Sequence, residues 1–239
     1  MSDIFMYDFE DGNGAVEARR HSNGGGIVAL TATVADTAYV GEDARVFGNA
    51  WVSRNTRVFG SAEISGNSWV YGNEQVYGSA HVFGNAKVYE NALIHGDAKV
   101  FGKAQVYGHT EIFGNAKVYG NARLFDNACV FSKAQVFGNS QIYGNSWIHG
   151  DAQVSGNAKV HGSALVYGNS WVHGNAKVYE NARILENAKV SGNAKVYGNS
   201  WVYGNSLVCG DARILENAEI CVNTKFSIDM SGNEPMPSV

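Results

Sequence analysis

One apolar position recurs every six residues along almost the whole chain. From Val28 to Ile220, the thirty-three residues at this spacing are all Val, Ile or Leu. The residue four places after each of them is Ala, Ser or Thr, except at Glu74. A unit this short cannot bury its apolar side alone and must pack against copies of itself. The pattern therefore predicts a solenoid built from hexads.

The hexad Ala116-Lys-Val-Tyr-Gly-Asn121 illustrates the expected geometry. Side chains alternate along a strand, so Ala116 and Val118 face one way and Tyr119 faces the other. The Gly-Asn pair tolerates the positive φ of a sharp turn. Three strands and three turns would close a triangular coil of eighteen residues, with aliphatic side chains inside and small residues at the corners. The hexads together predict about eleven coils.

The aliphatic residue followed by a small one over residues 28–224 resembles the hexapeptide-repeat family of left-handed parallel β-helices. The resemblance implies an all-β, single-stranded parallel β-helix whose hand is opposite to the usual crossover preference. Phe or Tyr follows most of the aliphatic residues, where acyltransferases of the family have a small or acidic residue. This variant, with His21-Ser-Asn-Gly-Gly-Gly, is similar to uncharacterised bacterial and phage hexapeptide-repeat proteins, which are often labelled transferases on the repeat alone.

The two ends of the chain depart from the repeat. Residues 1–27 break the register, and we predict that they cap the solenoid at 28–224, because an open coil exposes both its core and an unpaired strand edge. For residues 225–239 we predict a second cap followed by a disordered tail from Ser231. The apolar residues of that second cap are Phe226, Ile228 and Met230.

Composition narrows the class of protein. A net charge of −4 gives no electrostatic reason to expect nucleic acid or an anionic membrane as a partner. The three cysteines, Cys129, Cys209 and Cys221, lack paired spacing, which is typical of a reducing compartment. The sequence begins without a basic and apolar secretion signal, and no apolar run could span a membrane. These features predict a cytoplasmic protein.

Residues eighteen apart should stack on one side of the coil at the ~4.8 Å spacing of paired strands. This predicts columns of outward rings, the longest of which contains Tyr71, Tyr89, Tyr107, Phe125, Tyr143, His161, Tyr179 and Tyr197. The rings could act as ladders that stabilise neighbouring strands. They could equally form an apolar surface that binds a partner. The outward tryptophans, which include Trp147 and Trp201, leave the same two interpretations open.

A cationic column lies beside these rings. Lys159, Lys177, Lys195 and Arg213 are eighteen residues apart. One interpretation is a solvated ladder whose repulsion is compensated by Glu180 and Glu216. The other is a strip that binds a nucleotide or a single strand next to the rings. The candidate binding residues are therefore Tyr143, Tyr179, Tyr197, Lys159, Lys177, Lys195, Arg213, Trp147 and Trp201.

Histidines are the residues to test for catalysis, because acyltransferases that resemble this chain use one as a base and related carbonic anhydrases use three as zinc ligands. His149, His161 and His173 are twelve residues apart, which is two-thirds of a coil, so their side chains should leave from three different sides. The sequence contains no phosphate-binding loop, nucleophile elbow or Cys–His signature. It predicts no catalytic residue, no metal site and no cofactor within one protomer.

These observations favour a non-enzymatic, oligomeric β-solenoid that acts as a scaffold or macromolecular recognition rod. The resemblance implies a homotrimer, and another protein could also bind the aromatic surfaces. The alternative is an acyltransferase-like enzyme, or a protein that binds a small anionic ligand, with sites between protomers. At such a site His95 or His149 could meet coenzyme A.

Glu74 is the one exception at the small corner position. Its side chain should start inward, where an unpaired carboxylate is costly or becomes protonated. We expect a local bulge to turn Glu74 outward, because this costs less than burying a charge. A ligand or a polar site at the corner is the other explanation.

Overall fold

The computed structural model describes residues 3–221 and 223–228. Within these residues the chain is all-β, and its repeats form a parallel-stranded β-solenoid with coils of eighteen residues, about eleven turns in all, as the spacing predicts. The chain divides into two units, Met1–Gly120 and Asn121–Val239. The left-handed winding implied by the resemblance stays a prediction.

Short strands separated by turns make up the first unit. The strands are β1 (Ile4–Asp8), β2 (Ala15–Arg20), β3 (Ile27–Ala29), β4 (Thr33–Val34), β5 (Tyr39–Val40), β6 (Arg45–Val46), β7 (Trp51–Arg54), β8 (Arg57–Val58), β9 (Glu63–Ile64), β10 (Trp69–Gly72), β11 (Gln75–Val76), β12 (His81–Val82), β13 (Lys87–Glu90), β14 (Leu93–Ile94), β15 (Lys99–Val100), β16 (Gln105–Val106), β17 (Glu111–Ile112) and β18 (Lys117–Val118).

The second unit repeats this arrangement. Its strands are β19 (Arg123–Leu124), β20 (Cys129–Val130), β21 (Gln135–Val136), β22 (Gln141–Ile142), β23 (Trp147–Ile148), β24 (Gln153–Val154), β25 (Lys159–Val160), β26 (Leu165–Val166), β27 (Trp171–Val172), β28 (Lys177–Val178), β29 (Arg183–Ile184), β30 (Lys189–Val190), β31 (Lys195–Val196), β32 (Trp201–Val202), β33 (Leu207–Gly210), β34 (Arg213–Ile214), β35 (Glu219–Ile220) and β36 (Lys225–Ile228).

Every third strand belongs to the same sheet, so each coil has three sides, and we name the outward surface of each side a wall. The first wall contains β4, β7, β10, β13 and β16 in the first unit and β19, β22, β25, β28, β31 and β34 in the second. The second wall begins with β5 and β20 in the two units, and the third with β3 and β21. Strands one coil apart pair in register, as Val70 does with Val52 and Val88.

A hairpin covers the start of the third wall. Strand β1 pairs antiparallel with β2, which pairs antiparallel with β3. Phe9, just after β1, is buried and stacks on Phe47 at 4.7 Å between ring centroids. One edge of β3 is therefore paired rather than open, although a separate cap at residues 1–27 stays a prediction.

At the other end, β36 continues the repeat. Lys225 pairs with Leu207 and Phe226 with Val208, both eighteen residues apart. Phe226 thus occupies the next aliphatic position of the hexad. Met230 and the predicted tail from Ser231 lie outside the described residues.

The interior follows the hexad. The aliphatic residues from Val34 to Ile214 are all buried, and so are the corner alanines between them. Most corner serines and threonines are tolerated because their hydroxyls donate to the carbonyl three residues earlier, as Ser68 Oγ does to Ser65 O at 2.7 Å. The exception is Ser170, whose buried hydroxyl lacks a hydrogen-bond partner. The residue after most of the aliphatic ones is outward and partly exposed: Tyr143 is half-buried beside the fully buried Ile142. Phe47, Ser155 and Leu185 occupy the same position but are buried.

The turn glycines recur along the repeat for two physical reasons. Gly192 has a φ of +66°, in the left-handed region that favours glycine. A Cβ at this position would also lie 2.9 Å from the backbone nitrogen of Gly210 in the next coil. Close stacking of the coils therefore requires glycine at most turns.

The predicted bulge at Glu74 is wrong. Strand β10 pairs in register with both neighbours up to Gly72, and Glu74 is fully buried. Thr56 Oγ1 and Glu74 Oε2 are 3.0 Å apart, whereas Oε1 lacks a hydrogen-bond partner. Gly72 makes room for the side chain, because a Cβ there would lie 2.4 Å from Glu74 Oε1. A bulge is unnecessary because a protonated carboxylic acid can be buried without its charge.

Candidate functional site

The first wall of the second unit contains the later part of the predicted ring column, from Phe125 to Tyr197. Its rings lie almost parallel, with 4.6 Å between the centroids of Tyr143 and His161, 5.1 Å between His161 and Tyr179, and 4.8 Å between Tyr179 and Tyr197. Stacking of this kind covers the ring faces and leaves the ring edges toward solvent. The column is therefore a rigid ridge of ring edges.

The other walls contain shorter columns of the same kind. In the first unit Tyr77 and His95 stack at 4.7 Å on the second wall, and Phe83 and Phe101 stack at 4.8 Å on the third. In the second unit His149 stacks between two rings of the second wall. The ladder interpretation thus accounts for many of the outward rings without a partner.

The cationic column lies beside the first-wall rings of the second unit. Lys159, Lys177, Lys195 and Arg213 are successive partners in the strand pairing. Among the described residues, no carboxylate oxygen lies within 4.0 Å of their charged nitrogens. Each cation therefore has another cation as its neighbour along the wall.

Neither Glu180 nor Glu216 forms an ion pair with the column, although the charge of Glu180 acts on His161 and Tyr179. The φ of Glu180 is +59°, and its Oε2 accepts a hydrogen bond of 2.8 Å from the backbone N–H of Gly198 in the next coil. Asp126 and Glu186, at the same hexad position, accept the same kind of bond from the glycine one coil later. An acidic residue at the turn thus holds the next coil instead of pairing with a lysine.

One histidine and two tyrosines of the ring column stay neutral at neutral pH. Burial lowers the pKa of His161, and the charges of Lys159 and Lys177 lower it further. Burial raises the pKa of Tyr143 and of Tyr179 above the usual value for a phenol. The positive charge of this wall therefore comes from the lysines and the arginine.

The two candidate tryptophans lie on the second wall, three coils apart. Trp147 is 49% exposed and makes an edge contact with Phe131 at 6.0 Å. Trp201 is 37% exposed, and the Arg183 guanidinium lies 4.7 Å from its ring centroid. They are therefore on a different wall from the seven first-wall candidates.

Sequence reasoning missed a diagonal contact between the two outward columns of one wall. His95 Nε2 lies 3.0 Å from Glu111 Oε1, and Trp171 Nε1 donates to Ser155 Oγ at 3.1 Å. Both pairs are sixteen residues apart. Outward side chains extend along the coil stack, so a residue that follows one aliphatic position can contact the residue sixteen places later in the next coil. Pairs at this spacing could have been read from the sequence.

The histidines predicted to diverge do so. His149, His161 and His173 follow strands β23, β25 and β27, which belong to the second, first and third walls. Across residues 3–221 and 223–228, there is no group of three or more His, Cys, Asp or Glu side chains that could hold a metal ion.

A polar cavity of about 340 Å³ lies beside the N-terminal hairpin. It is lined by two arginines, Arg20 and Arg45, and by the carboxylates of Glu42 and Asp43. Arg20 donates to a backbone carbonyl at 2.8 Å, and Arg45 lies 3.7 Å from Glu63. Both cations thus already have partners within the protein.

Two stretches of the second unit, residues 152–168 and 188–204, match the model of the YdcK β-solenoid repeat. Each covers most of one coil, so the match agrees with the fold observed here. No curated protein matches the chain at a significant level. The described part of the chain has no helix of the length and hydropathy needed to cross a membrane.

Proposed function

We propose that this protein is a non-enzymatic, oligomeric β-solenoid that acts as a scaffold or recognition surface. The support comes from the second wall of the second unit, whose outward strand residues are almost all uncharged. They are Cys129, Phe131, Trp147, His149, Leu165, Tyr167, the buried Leu185, Trp201, Tyr203 and Cys221, with Arg183 among them and Glu219 in the last strand.

The few polar groups on this wall do little to hydrate it. Burial lowers the pKa of His149, so its ring is neutral at neutral pH. The Arg183 guanidinium lies over the Trp201 ring, where a cation–π contact holds it close to the wall. Exposed tryptophans on a contiguous apolar surface are typical of protein interfaces. The occupant that we propose is a second copy of this chain, and the trimer stays a prediction from the resemblance.

Light scattering after size-exclusion chromatography tests this proposal. A trimer would have three times the 25.7 kDa mass of one chain. Trp147→Lys and Trp201→Lys should shift the protein toward the monomer, because each places a charge on the apolar wall. Trp171→Lys is the matched control, because Trp171 is 36% exposed on the third wall among more polar neighbours. A wild-type monomer at micromolar concentration, or equal dissociation of the control, would contradict the proposal.

The acyltransferase-like alternative has one observation in its favour. His95 is stacked between Tyr77 and Phe113, and Glu111 holds its Nε2, which is how a carboxylate orients a histidine base. Turnover of acetyl-coenzyme A that is lost in His95→Ala and reduced in Glu111→Gln would support an enzyme. If the oligomer does not turn over acetyl-coenzyme A above background, the scaffold remains the favoured function.

A further inference from the structure

The cationic column of the first wall is an unusual arrangement for a folded protein. Like charges on paired strands destabilise each other. The start of the third wall avoids this, because Arg45, Glu63 and His81 place a carboxylate between two basic groups. Over Lys159, Lys177, Lys195 and Arg213 no described carboxylate forms an ion pair with a cation, and Glu180 and Glu216 lie at the turns that follow β28 and β34. A feature that costs stability and recurs over four coils indicates a function outside the fold.

The nearby acceptors are engaged elsewhere. Glu180 accepts from Gly198 N–H, and Asp211 accepts from the Asn193 amide at 2.9 Å. A ladder runs through the turns just before the lysines, in which each amide donates to the next; its members are Asn157, Asn175 and Asn193. Each of these amides has a second N–H that the ladder does not use. The column therefore presents positive charge with a row of amide donors beside it.

The geometry of the site suits a polymer better than a small anion. The wall is a paired sheet, and its four cations span roughly 14 Å at one strand spacing each. An exposed lysine binds a single anion only weakly. A linear chain with repeated anionic groups engages all four cations, and each contact after the first is intramolecular.

The ring column disfavours a nucleic acid as this polymer. Proteins bind single strands by stacking bases on exposed aromatic faces. Here the faces of Tyr143, His161, Tyr179 and Tyr197 are covered by one another. Ring edges, phenol groups and amides suit a polymer with many hydroxyl groups instead.

We infer that the first wall of the second unit binds a linear acidic polysaccharide that has one carboxylate per sugar. A sugar ring advances an extended glycan by about one strand spacing, and the flexible lysine side chains can reach carboxylates on either edge of the chain. The cations of the column bind the carboxylates, and the amides of Asn157, Asn175 and Asn193 bind sugar hydroxyls. This wall is separate from the one proposed for self-association, so either proposal can fail without the other.

Titration calorimetry of the full chain with an oligogalacturonate that spans four coils tests the inference. We expect binding at low ionic strength that weakens as salt is added. The triple variant Lys159→Gln, Lys177→Gln, Lys195→Gln should bind more weakly by about tenfold or more. Thermal melting shows whether weaker binding comes from unfolding or from the lost cations. The triple variant should be at least as stable as the wild type, because repulsion between the cations is removed.

Two controls make the test specific. Lys99→Gln with Lys117→Gln removes a stacked pair of cations from the third wall of the first unit and should leave binding unchanged. Lys177→Arg keeps the charge and should keep the affinity. Absence of binding to the oligogalacturonate, unchanged binding by the triple variant, or tighter binding of single-stranded DNA or polyphosphate would overturn the inference.

Discussion

Glu74 should make the stability of the solenoid depend on pH. Most corner hydroxyls donate to the carbonyl three residues earlier, and Thr56 Oγ1 lies 2.7 Å from Ser53 O, closer than its 3.0 Å to Glu74 Oε2. A hydroxyl has one proton, so Thr56 can donate to Ser53 and accept from Glu74 only when the acid is protonated. The geometry therefore favours a neutral Glu74.

The magnitude follows from the pKa. Burial raises the pKa of Glu74 from 4.5 to about 7, against smaller opposing effects of backbone amides, Thr56 and Arg54. Because the folded pKa is the higher one, the stabilisation is complete below pH ~4.5 and is lost as the pH rises through about 7. A difference of about 2.5 pKa units corresponds to ~3 kcal/mol.

Glu74→Gln isolates this effect. The amide has the same shape, can donate to Thr56 and cannot ionise. Urea unfolding followed by tryptophan fluorescence should give similar free energies of unfolding for both proteins near pH ~4.5. At pH ~8 the variant should be more stable by ~3 kcal/mol. Trp51 and Trp69, in the preceding coil and the same coil, report on this region.

Asp97→Asn is the matched control, because Asp97 is an exposed carboxylate in the same unit. Its difference from the wild type should be small throughout this pH range. Our reasoning would be refuted by a difference between Glu74→Gln and wild type that stays constant across the range. Glu74→Ala should be less stable than Glu74→Gln at every pH, since it leaves a cavity beside Gly72.

Two further predictions concern the turns. Gly192→Ala should lower the free energy of unfolding by at least ~1–2 kcal/mol, because it combines a φ of +66° with a contact of 2.9 Å to Gly210; urea denaturation measures it, and an unchanged midpoint would contradict the close coil stacking. Asn175→Ala should cost ~1–2 kcal/mol in the same assay, because it breaks the amide bonds to Asn157 and Asn193. Its control is Ser163→Ala, which has the same position in its hexad but lies at the turn after a first-wall strand and outside this ladder. This variant should be within ~0.5 kcal/mol of wild type, and equal losses in the two variants would count against the ladder.

The repeat predicts the interior and the columns well, because both depend on a fixed number of residues per coil. The ring contact between Tyr179 and Tyr197, at 4.8 Å, follows from a separation of eighteen residues alone. The side to which each residue points follows from alternation along a strand, as Ile142 and Tyr143 show. No tertiary information beyond the repeat is needed for these features.

The features that sequence reasoning missed depend on where a side chain leans and which proton it carries. The contact between His95 and Glu111 joins side chains of successive coils that are sixteen residues apart. Glu180 reaches Gly198 because a left-handed turn aims its side chain along the stack instead of across the wall. Glu74 stays inside because an acid can be buried without its charge. Periodicity contains none of this information.

The difference between the walls of the second unit supports our proposal that one binds a second copy of the chain and the other an acidic polymer. The interior demands only aliphatic and small residues, so the outward positions are free to vary. Random variation would mix charges over all three walls, yet the first wall gathers Lys159, Lys177, Lys195 and Arg213, whereas the second is nearly uncharged. Repulsion on one wall and exposed tryptophan on the other both work against a stable, soluble monomer. Each is therefore better explained by what binds the wall than by what holds the coils together.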